Sequence, residues 1–137
     1  MKTEFFPWKD EYGVKVKEID NQHKVLIGML NKLYDAFMKK EHGEIIGEII
    51  QELTDYAIYH FEVEEKYFKK FNYSDSDNHV KEHRNFSEKV NEFRKEFEKN
   101  KSVLTFTIIN FLRNWLMNHI LVSDKKYSDN FTQNGLK

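Results

Sequence analysis

The chain has 137 residues, a length that suits one domain with a buried core. Its formal net charge of −1 provides no electrostatic attraction to nucleic acid or to an anionic membrane surface, so neither is expected as a partner. The sequence contains no cysteine, which excludes disulfides, thiolate catalysis and iron–sulfur clusters. Any bound metal ion must therefore be held by nitrogen and oxygen atoms.

The expected location of the protein is the cytoplasm. No run of apolar residues approaches the roughly 20 that are needed to cross a bilayer. The first residues lack the apolar core and the small-residue cleavage site of a signal peptide. The absence of cysteine also fits a reducing compartment.

Apolar residues recur at helical spacing in four segments, and short polar loops separate these segments. Frequent lysine and glutamate and a single proline favour helix over sheet. The pattern predicts helices over residues 20–39, 44–71, 77–98 and 103–127. Because short loops make consecutive helices antiparallel, we expect an all-α fold, an antiparallel up-down-up-down four-helix bundle forming one domain over residues 1–137.

Two segments flank the predicted helices. An N-terminal arm covers residues 1–18 and contains Phe5, Phe6, Pro7 and Trp8, three of which are large aromatic residues. We expect the arm to pack across the bundle, because these side chains would otherwise be exposed to water. The tail after Tyr127, which runs to residue 137, is polar and is expected to be partly loose.

The positions of the histidines are the most informative feature of the sequence. Five of the six lie on the apolar stripes: His23, His60, His79, His83 and His119. A single core histidine is more often packed and hydrogen-bonded than a metal ligand, but here every predicted helix contributes at least one. An unsatisfied buried polar group costs about 1–3 kcal/mol. A metal ion would satisfy one nitrogen of each ring and leave the other for a hydrogen bond.

The spacing within two of the helices supports metal binding. His60 and Glu64 are four residues apart, as are His79 and His83, so each pair projects from one face of its helix.

Three other acidic residues fit the pattern less directly. Glu62 and Glu65 lie about 160° and about 140° away from His60 around the helix axis, and we interpret them as solvated charges. His119 and Asp124 are five residues apart, which also leaves about 140° between them on a regular α-helix. Both can face the interior only if this turn is widened, as in a π-bulge. Spacing alone therefore leaves Asp124 undecided.

The predicted ligands also agree in height along the bundle. His23 lies near the start of the first helix, His60 late in the second, His79 early in the third and His119 late in the fourth. In an antiparallel bundle these positions lie toward the same end. We therefore predict that the side chains converge at one level.

These residues resemble those of the hemerythrin family, in particular its bacterial single-domain members. The resemblance covers nearly the whole chain. The residues and motifs that carry it are Trp8, Ile19-Asp20-Asn21-Gln22-His23-Lys24-Val25-Leu26, His60-Phe61-x-x-Glu64-Glu65, His79-x-x-x-His83 and Trp115-Leu116-x-x-His119-Ile120-x-x-x-Asp124. One position departs from the pattern: the family often has proline after the tyrosine of the second loop, whereas Ser74 follows Tyr73 here.

The resemblance implies a centre of two non-haem iron ions bridged by Glu64 and Asp124. By the family pattern, one iron takes His79, His83 and His119, and the other takes His23 and His60. The second iron then has one ligand fewer and keeps an open position. The resemblance implies that dioxygen binds there reversibly.

Further residues are placed around this centre by the same resemblance. The apolar wall of an oxygen pocket would be formed by Leu26, Phe61, Trp115, Leu116 and Ile120. All of these would be core residues in any bundle of this kind. Tyr127 follows Asp124 by one turn and would either act as an outer residue of the centre or cap the core.

Other metal sites fit the residues less well. Zinc prefers four ligands, and seven converging ligands are too many for one tetrahedral ion. The carboxylate-rich diiron enzymes use Glu-x-x-His pairs, which do not occur in this chain.

The expected function is therefore oxygen storage, transport or delivery, with no catalytic residues assigned. The alternative is an oxygen or redox sensor acting through a signalling partner. Sensors of this kind are usually attached to signalling domains, and no second domain is expected here. A diiron oxidase, a peroxidase or an iron-handling protein has less support, because no substrate-binding residues are found beyond the apolar wall. The sequence does not identify an oxygen-accepting partner.

Overall fold

The computed structural model describes residues 8–41, 43–99 and 105–137. It contains α1 (Lys17–Met38), α2 (Gly43–Phe71), α3 (Ser76–Lys99), α4 (Thr105–Asn118) and α5 (Asp124–Gln133). A short 3-10 helix (Asp10–Tyr12) precedes α1, and a turn of π-helix (His119–Ser123) joins α4 to α5. Helix α1 packs against α2 and α4, and α3 packs against the same two helices. The four-helix bundle predicted from the sequence is confirmed, with α4, the π turn and α5 forming its fourth rod.

Helix α1 begins three residues earlier than the predicted start at residue 20. Val16 occupies the N-cap position and makes no side-chain capping bond. Instead, the Oδ1 atom of Asp20 accepts the backbone N–H of Val14 at 2.8 Å. Asp20 therefore lies inside the helix and ties its first turn to the segment before it.

Two helices end at residues in the left-handed region of the backbone. Lys40, with φ of 57°, follows α1, and Asn72, with φ of 51°, follows α2. At the end of α1 the N–H of Glu41 donates to the carbonyl of Ala36 at 3.0 Å, which is the long bond of a Schellman motif. Asparagine tolerates this conformation better than most residues, whereas lysine is strained in it.

The fourth rod continues beyond the predicted helix end at residue 127. Helix α5 continues to Gln133, and Phe131 is fully buried. The Tyr127 and Phe131 rings stack with their centroids 4.2 Å apart. These two residues continue the apolar stripe of the fourth rod by one more turn, a signal that the polar residues around them obscured.

Two apolar clusters form the core of the bundle. The larger cluster occupies the middle of the bundle and the end where α1 finishes and α2 begins. It includes Leu26, Phe61 and Ile120. The smaller lies at the other end and includes Ile19, Phe68, Tyr127 and Phe131. On three of the four rods, the predicted metal ligands fall between a residue of one cluster and a residue of the other, so the ligands occupy a layer between two apolar regions.

The part of the arm that is described packs as expected. Trp8 is partly buried against the larger cluster, and its ring meets that of Tyr12 edge-on with centroids 5.7 Å apart. The Lys24 Nζ atom lies 5.3 Å from the Trp8 ring centroid. Phe5, Phe6 and Pro7, and the predicted start of the fourth helix at residue 103, lie outside the described residues. In the described parts of the chain, no helix is long and apolar enough to cross a membrane.

Candidate metal centre

Seven buried polar side chains meet in the layer between the two apolar clusters. They are His23, His60, Glu64, His79, His83, His119 and Asp124, and each has at most 3% of its surface exposed. They fall into two groups, and within each group the ligand atoms all lie within 4.8 Å of one another. One group contains Glu64, His79, His83 and His119, and the other contains His23, His60, Glu64 and Asp124. Glu64 belongs to both.

The π turn brings Asp124 into this layer. The N–H of Asp124 donates to the carbonyl of His119, five residues before it, and the intervening residues form a π-helix. The predicted widening of the helix is confirmed. Because the turn contains an extra residue, His119 and Asp124 both face the interior.

The two carboxylate oxygens of Asp124 face different histidines. Oδ1 lies 2.9 Å from Nε2 of His79 and 2.9 Å from Nε2 of His119. Oδ2 lies 2.7 Å from Nε2 of His23 and 4.0 Å from Nε2 of His60. The carboxylate therefore spans the two groups.

The carboxylate of Glu64 lies between the same groups in a different orientation. Its Oε1 atom is 3.1 Å from Nε2 of His60 and 3.2 Å from Nε2 of His83. The same oxygen is 3.7 Å from Nε2 of His119, and Oε2 is 3.6 Å from Nε2 of His79. One oxygen of Glu64 thus contacts histidines of both groups.

The donor set fits metal ions. Nε2 of His23, His60 and His79 and all four carboxylate oxygens of Glu64 and Asp124 are buried without a hydrogen-bond partner among the described residues. In addition, Nε2 of His83 and Nε2 of His119 are only 3.2 Å apart, so two lone pairs would repel unless a cation or a proton lies near them. Imidazole nitrogens and carboxylate oxygens together suit transition-metal ions such as iron.

Without a metal ion, protons balance the charge of this layer. Burial opposes the charging of His79, but the carboxylates of Asp124 and Glu64 outweigh it and raise its pKa to about 9. Burial is likewise outweighed at His119, where the same two carboxylates raise the pKa to about 10. Burial would raise the pKa of Asp124 and Glu64, but the surrounding histidines hold both pKa values well below their usual range.

In each of two histidines, Nε2 faces the centre and Nδ1 points away from it. The two side chains that contact these Nδ1 atoms were missed or misread in the sequence. Gln22, one residue before His23, accepts a hydrogen bond from Nδ1 of His60 at 2.7 Å. The interpretation of Glu65 as a solvated charge is incomplete, because its partly exposed side chain places Oε2 at 3.3 Å from Nδ1 of His83. Glu65 turns away from His60 but toward α3, a contact that the geometry of α2 alone does not reveal. Glu62 is exposed, as expected.

A third missed contact holds the π turn. The hydroxyl of Ser123, the residue before Asp124, donates to Oε1 of Glu82 on α3 at 2.6 Å. No signal in the sequence pointed to this pair, since serine and glutamate on separate helices have no characteristic spacing.

Of the residues predicted to form an apolar wall, Phe61 and Trp115 contact histidines of the centre. The Phe61 ring stacks on His83 with centroids 3.9 Å apart, and the Trp115 ring stacks on His119 at 4.4 Å. These two aromatic rings therefore cover His83 and His119, whereas the ring of His79 packs against Phe68. The other members, Leu26, Leu116 and Ile120, are each 1% exposed and belong to the larger cluster.

Tyr127 is fully buried in the smaller cluster, next to the centre. Its ring centroid lies 5.5 Å from that of His79, and its hydroxyl has no hydrogen-bond partner among the described residues. Burial and the nearby charges of Asp124 and Glu64 raise its pKa well above the ordinary value. The residue both packs the smaller cluster and places a neutral hydroxyl beside the carboxylates.

Fold and site together define a four-helix-bundle protein with a buried histidine–carboxylate centre able to hold metal ions. Residues 14–129 match the family model described as the hemerythrin HHE cation binding domain. The bacteriohemerythrin of Pseudomonas aeruginosa is 38% identical over 122 residues, which are 89% of this chain and 78% of that protein. The bacteriohemerythrin of Clostridium acetobutylicum is 34% identical and covers 90% of this chain and 99% of its own.

Solved structures agree with these relatives. A wild-type hemerythrin superposes with a TM-score of 0.86 at 31% identity, covering 93% of this chain and 98% of its own. A point mutant of hemerythrin gives a TM-score of 0.87 at 30% identity, covering 95% and 99%. The chain belongs to the hemerythrin family.

Proposed function

We propose that the seven side chains hold two iron ions and that the protein binds dioxygen reversibly at this centre. The observation that carries the proposal is the arrangement of the carboxylates. Glu64 is shared by two groups of ligand atoms, and Asp124 directs one oxygen toward the histidines of each group. This is the arrangement expected of two carboxylates that bridge a pair of ions.

The two groups differ in the number of histidines, and this difference supports oxygen binding. His79, His83 and His119 lie on one side, and only His23 and His60 on the other. The ion beside two histidines would have one ligand fewer and would keep a position for dioxygen. Ferrous iron would supply the electrons that reversible oxygen binding requires.

The chain provides a dry environment for this chemistry. All seven ligands are buried, and apolar clusters lie above and below their layer. Exclusion of water protects a reactive bound species from side reactions. The two carboxylates offset part of the charge of two metal cations, which would otherwise be costly to bury.

The test is the optical spectrum of the iron-loaded, reduced protein in air and after deoxygenation. We expect a visible absorption band that develops in air and disappears when oxygen is removed, through repeated cycles. Irreversible conversion to a ferric form would overturn the carrier function and would favour a redox sensor or an oxidase. Replacing His119→Ala should lower the iron content, because the variant lacks one predicted ligand. His42→Ala is the matched control, since the sequence places His42 outside the apolar stripes, and it should retain its iron.

A further inference from the structure

In two of the predicted ligands, the Nδ1 atom points away from the centre and contacts another side chain, and the two contacting groups differ chemically. His60 Nδ1 faces the amide oxygen of Gln22 at 2.7 Å, and His83 Nδ1 faces the carboxylate of Glu65 at 3.3 Å. Because both partners are acceptors, each Nδ1 atom carries the proton, and each Nε2 atom presents its lone pair to the centre. Gln22 is neutral, whereas Glu65 is an ionisable acid. The two sides of the centre are therefore unequal in charge.

The His83 ring is held on its face as well as at its end. Phe61 lies against it with ring centroids 3.9 Å apart and an angle of 11° between the planes. With Nδ1 directed toward Glu65, Nε2 lies 3.2 Å from Oε1 of Glu64 and 3.2 Å from Nε2 of His119. The ring thus has little freedom to turn away from the centre.

Glu65 reaches this buried ring from the surface. Its side chain is 35% exposed and lines a groove between α2 and α3. The same groove is lined by Phe61 and His83 at its base and by Glu62 and Arg84. By contrast, Gln22 is 5% exposed, so the charged contact is the one that meets solvent.

We propose that Glu65 is a positioning residue for the metal ion beside His79, His83 and His119. Its carboxylate directs His83 Nε2 into the centre and increases the electron donation of that ring to the metal. The negative charge stabilises a higher metal charge on this side, whereas the neutral Gln22 contact has no such effect on the other side. This inference rests on the proposed function, because it takes the seven side chains as metal ligands.

The test compares Glu65→Gln with the wild-type chain and with Glu62→Gln. Glutamine keeps the size and an acceptor oxygen at position 65 but removes the charge. Glu62→Gln removes the same charge from an exposed position of the same helix and groove, without contact to a ligand histidine. Thermal unfolding of each metal-free variant establishes that it is folded.

Two readouts separate positioning from a general structural role. In titrations of the metal-free chain with cobalt(II), followed by visible absorption, Glu65→Gln should weaken the tighter of two binding steps by about 10–100-fold, as loss of an outer contact typically does. In redox titrations of the iron-loaded chain, the same variant should have a more positive reduction potential, because the ferric state loses a stabilising charge. Glu62→Gln should match wild type in both experiments.

Each outcome bears on a different conclusion. If wild type binds two cobalt ions and Glu65→Gln matches it in affinity and potential, the role of Glu65 is disproved while the metal centre stands. Equal shifts in Glu65→Gln and Glu62→Gln would also overturn it, since they would reflect surface charge alone. If the wild-type chain binds no cobalt at these residues, the metal centre itself, and with it the proposed function, is overturned.

Discussion

Buried polar atoms without a partner concentrate in one region of this molecule. Apart from an oxygen of Asn130, those among the described residues belong to the seven side chains of the metal centre or to the hydroxyl of Tyr127. In most proteins such atoms are rare and scattered, because each costs about 1–3 kcal/mol. Metal ions would satisfy those that face the centre, but Nδ1 of His23, Nδ1 of His119 and the hydroxyl of Tyr127 would still have no partner among the described residues.

The first prediction concerns this hydroxyl. Because it is buried without a partner, removing it in Tyr127→Phe should raise the free energy of unfolding of the metal-free protein by about 1–3 kcal/mol. Urea denaturation measures this value. Tyr67→Phe is the matched control, since the Tyr67 hydroxyl donates to Glu18. The control should lose about 1 kcal/mol. Any loss of stability in Tyr127→Phe would contradict the prediction.

At the scale of secondary-structure elements, the π turn is the feature on which the centre depends. It places Asp124 on the same side of the fourth rod as His119. A π turn is less favourable than the α-helix around it, so contacts from neighbouring elements must stabilise it. The hydrogen bond from Ser123 to Glu82 is such a contact, because it joins the π turn to α3.

The second prediction tests that bond. Ser123→Ala should destabilise the metal-free protein by about 1 kcal/mol and also weaken cobalt(II) binding, because the turn that presents Asp124 loses its contact with α3. Ser128→Ala is the matched control. Its hydroxyl also makes a 2.6 Å hydrogen bond, to the carbonyl of Val14, but it lies beyond the ligands. The control should show the loss of stability without the loss of affinity. Equal cobalt affinity in both variants would argue against a role for Ser123.

The third prediction concerns the end of α1. Lys40 adopts a φ of 57°, a conformation that costs a residue with a side chain about 1 kcal/mol relative to glycine. Lys40→Gly should therefore raise the free energy of unfolding by up to about 1 kcal/mol, as measured by urea denaturation. Lys39→Gly is the control, since Lys39 has an ordinary φ of −83°, and it should not stabilise the protein. Destabilisation by Lys40→Gly would show that this end of the helix is held differently.

At the scale of the whole molecule, the layer of seven buried polar side chains connects all four rods of the bundle. Its charge balance therefore affects global stability. In the metal-free state, His79 and His119 have pKa values of about 9 and about 10, above their ordinary value of 6.5. A raised pKa means that the folded state binds protons more tightly than the unfolded state. The resulting stability is fully present below pH 6.5 and is lost as the pH rises toward 10.

The fourth prediction follows from this balance. The free energy of unfolding of the metal-free protein should fall as the pH is raised from about 7 to 10, because the protons on these histidines are then lost. Urea denaturation at several pH values measures the slope. The metal-loaded protein should show a much weaker fall, because metal ions replace the protons. A flat profile for the metal-free protein would contradict the proposed proton balance.

Acid should affect the same layer through its carboxylates. The pKa values of Asp124 and Glu64 are held below their usual range, so the stability that they contribute is present at neutral pH and is lost as the pH falls through those lowered values. The metal-free protein should therefore be most stable in mildly acidic solution, between these two losses.

Local helical geometry was sufficient to predict much of this protein. The positions of His60 and Glu64, and of His79 and His83, depend only on the 3.6-residue period of a helix, which is set within a few residues of chain. The number of helices and the level at which His23 and His119 would meet them followed from the same period and from short loops. The described helices agree with these expectations.

Contacts between helices could not be predicted in this way. The approach of Glu65 to His83, of Gln22 to His60 and of Ser123 to Glu82 depends on how each helix is rotated and shifted against its neighbour. Packing of the whole core sets those rotations, and no short segment of sequence contains them. The burial of Phe131 against Tyr67 and Phe68 has the same origin. Asp124 lies between these cases: its five-residue spacing from His119 required a widened turn, and only the packed structure determined that the turn forms.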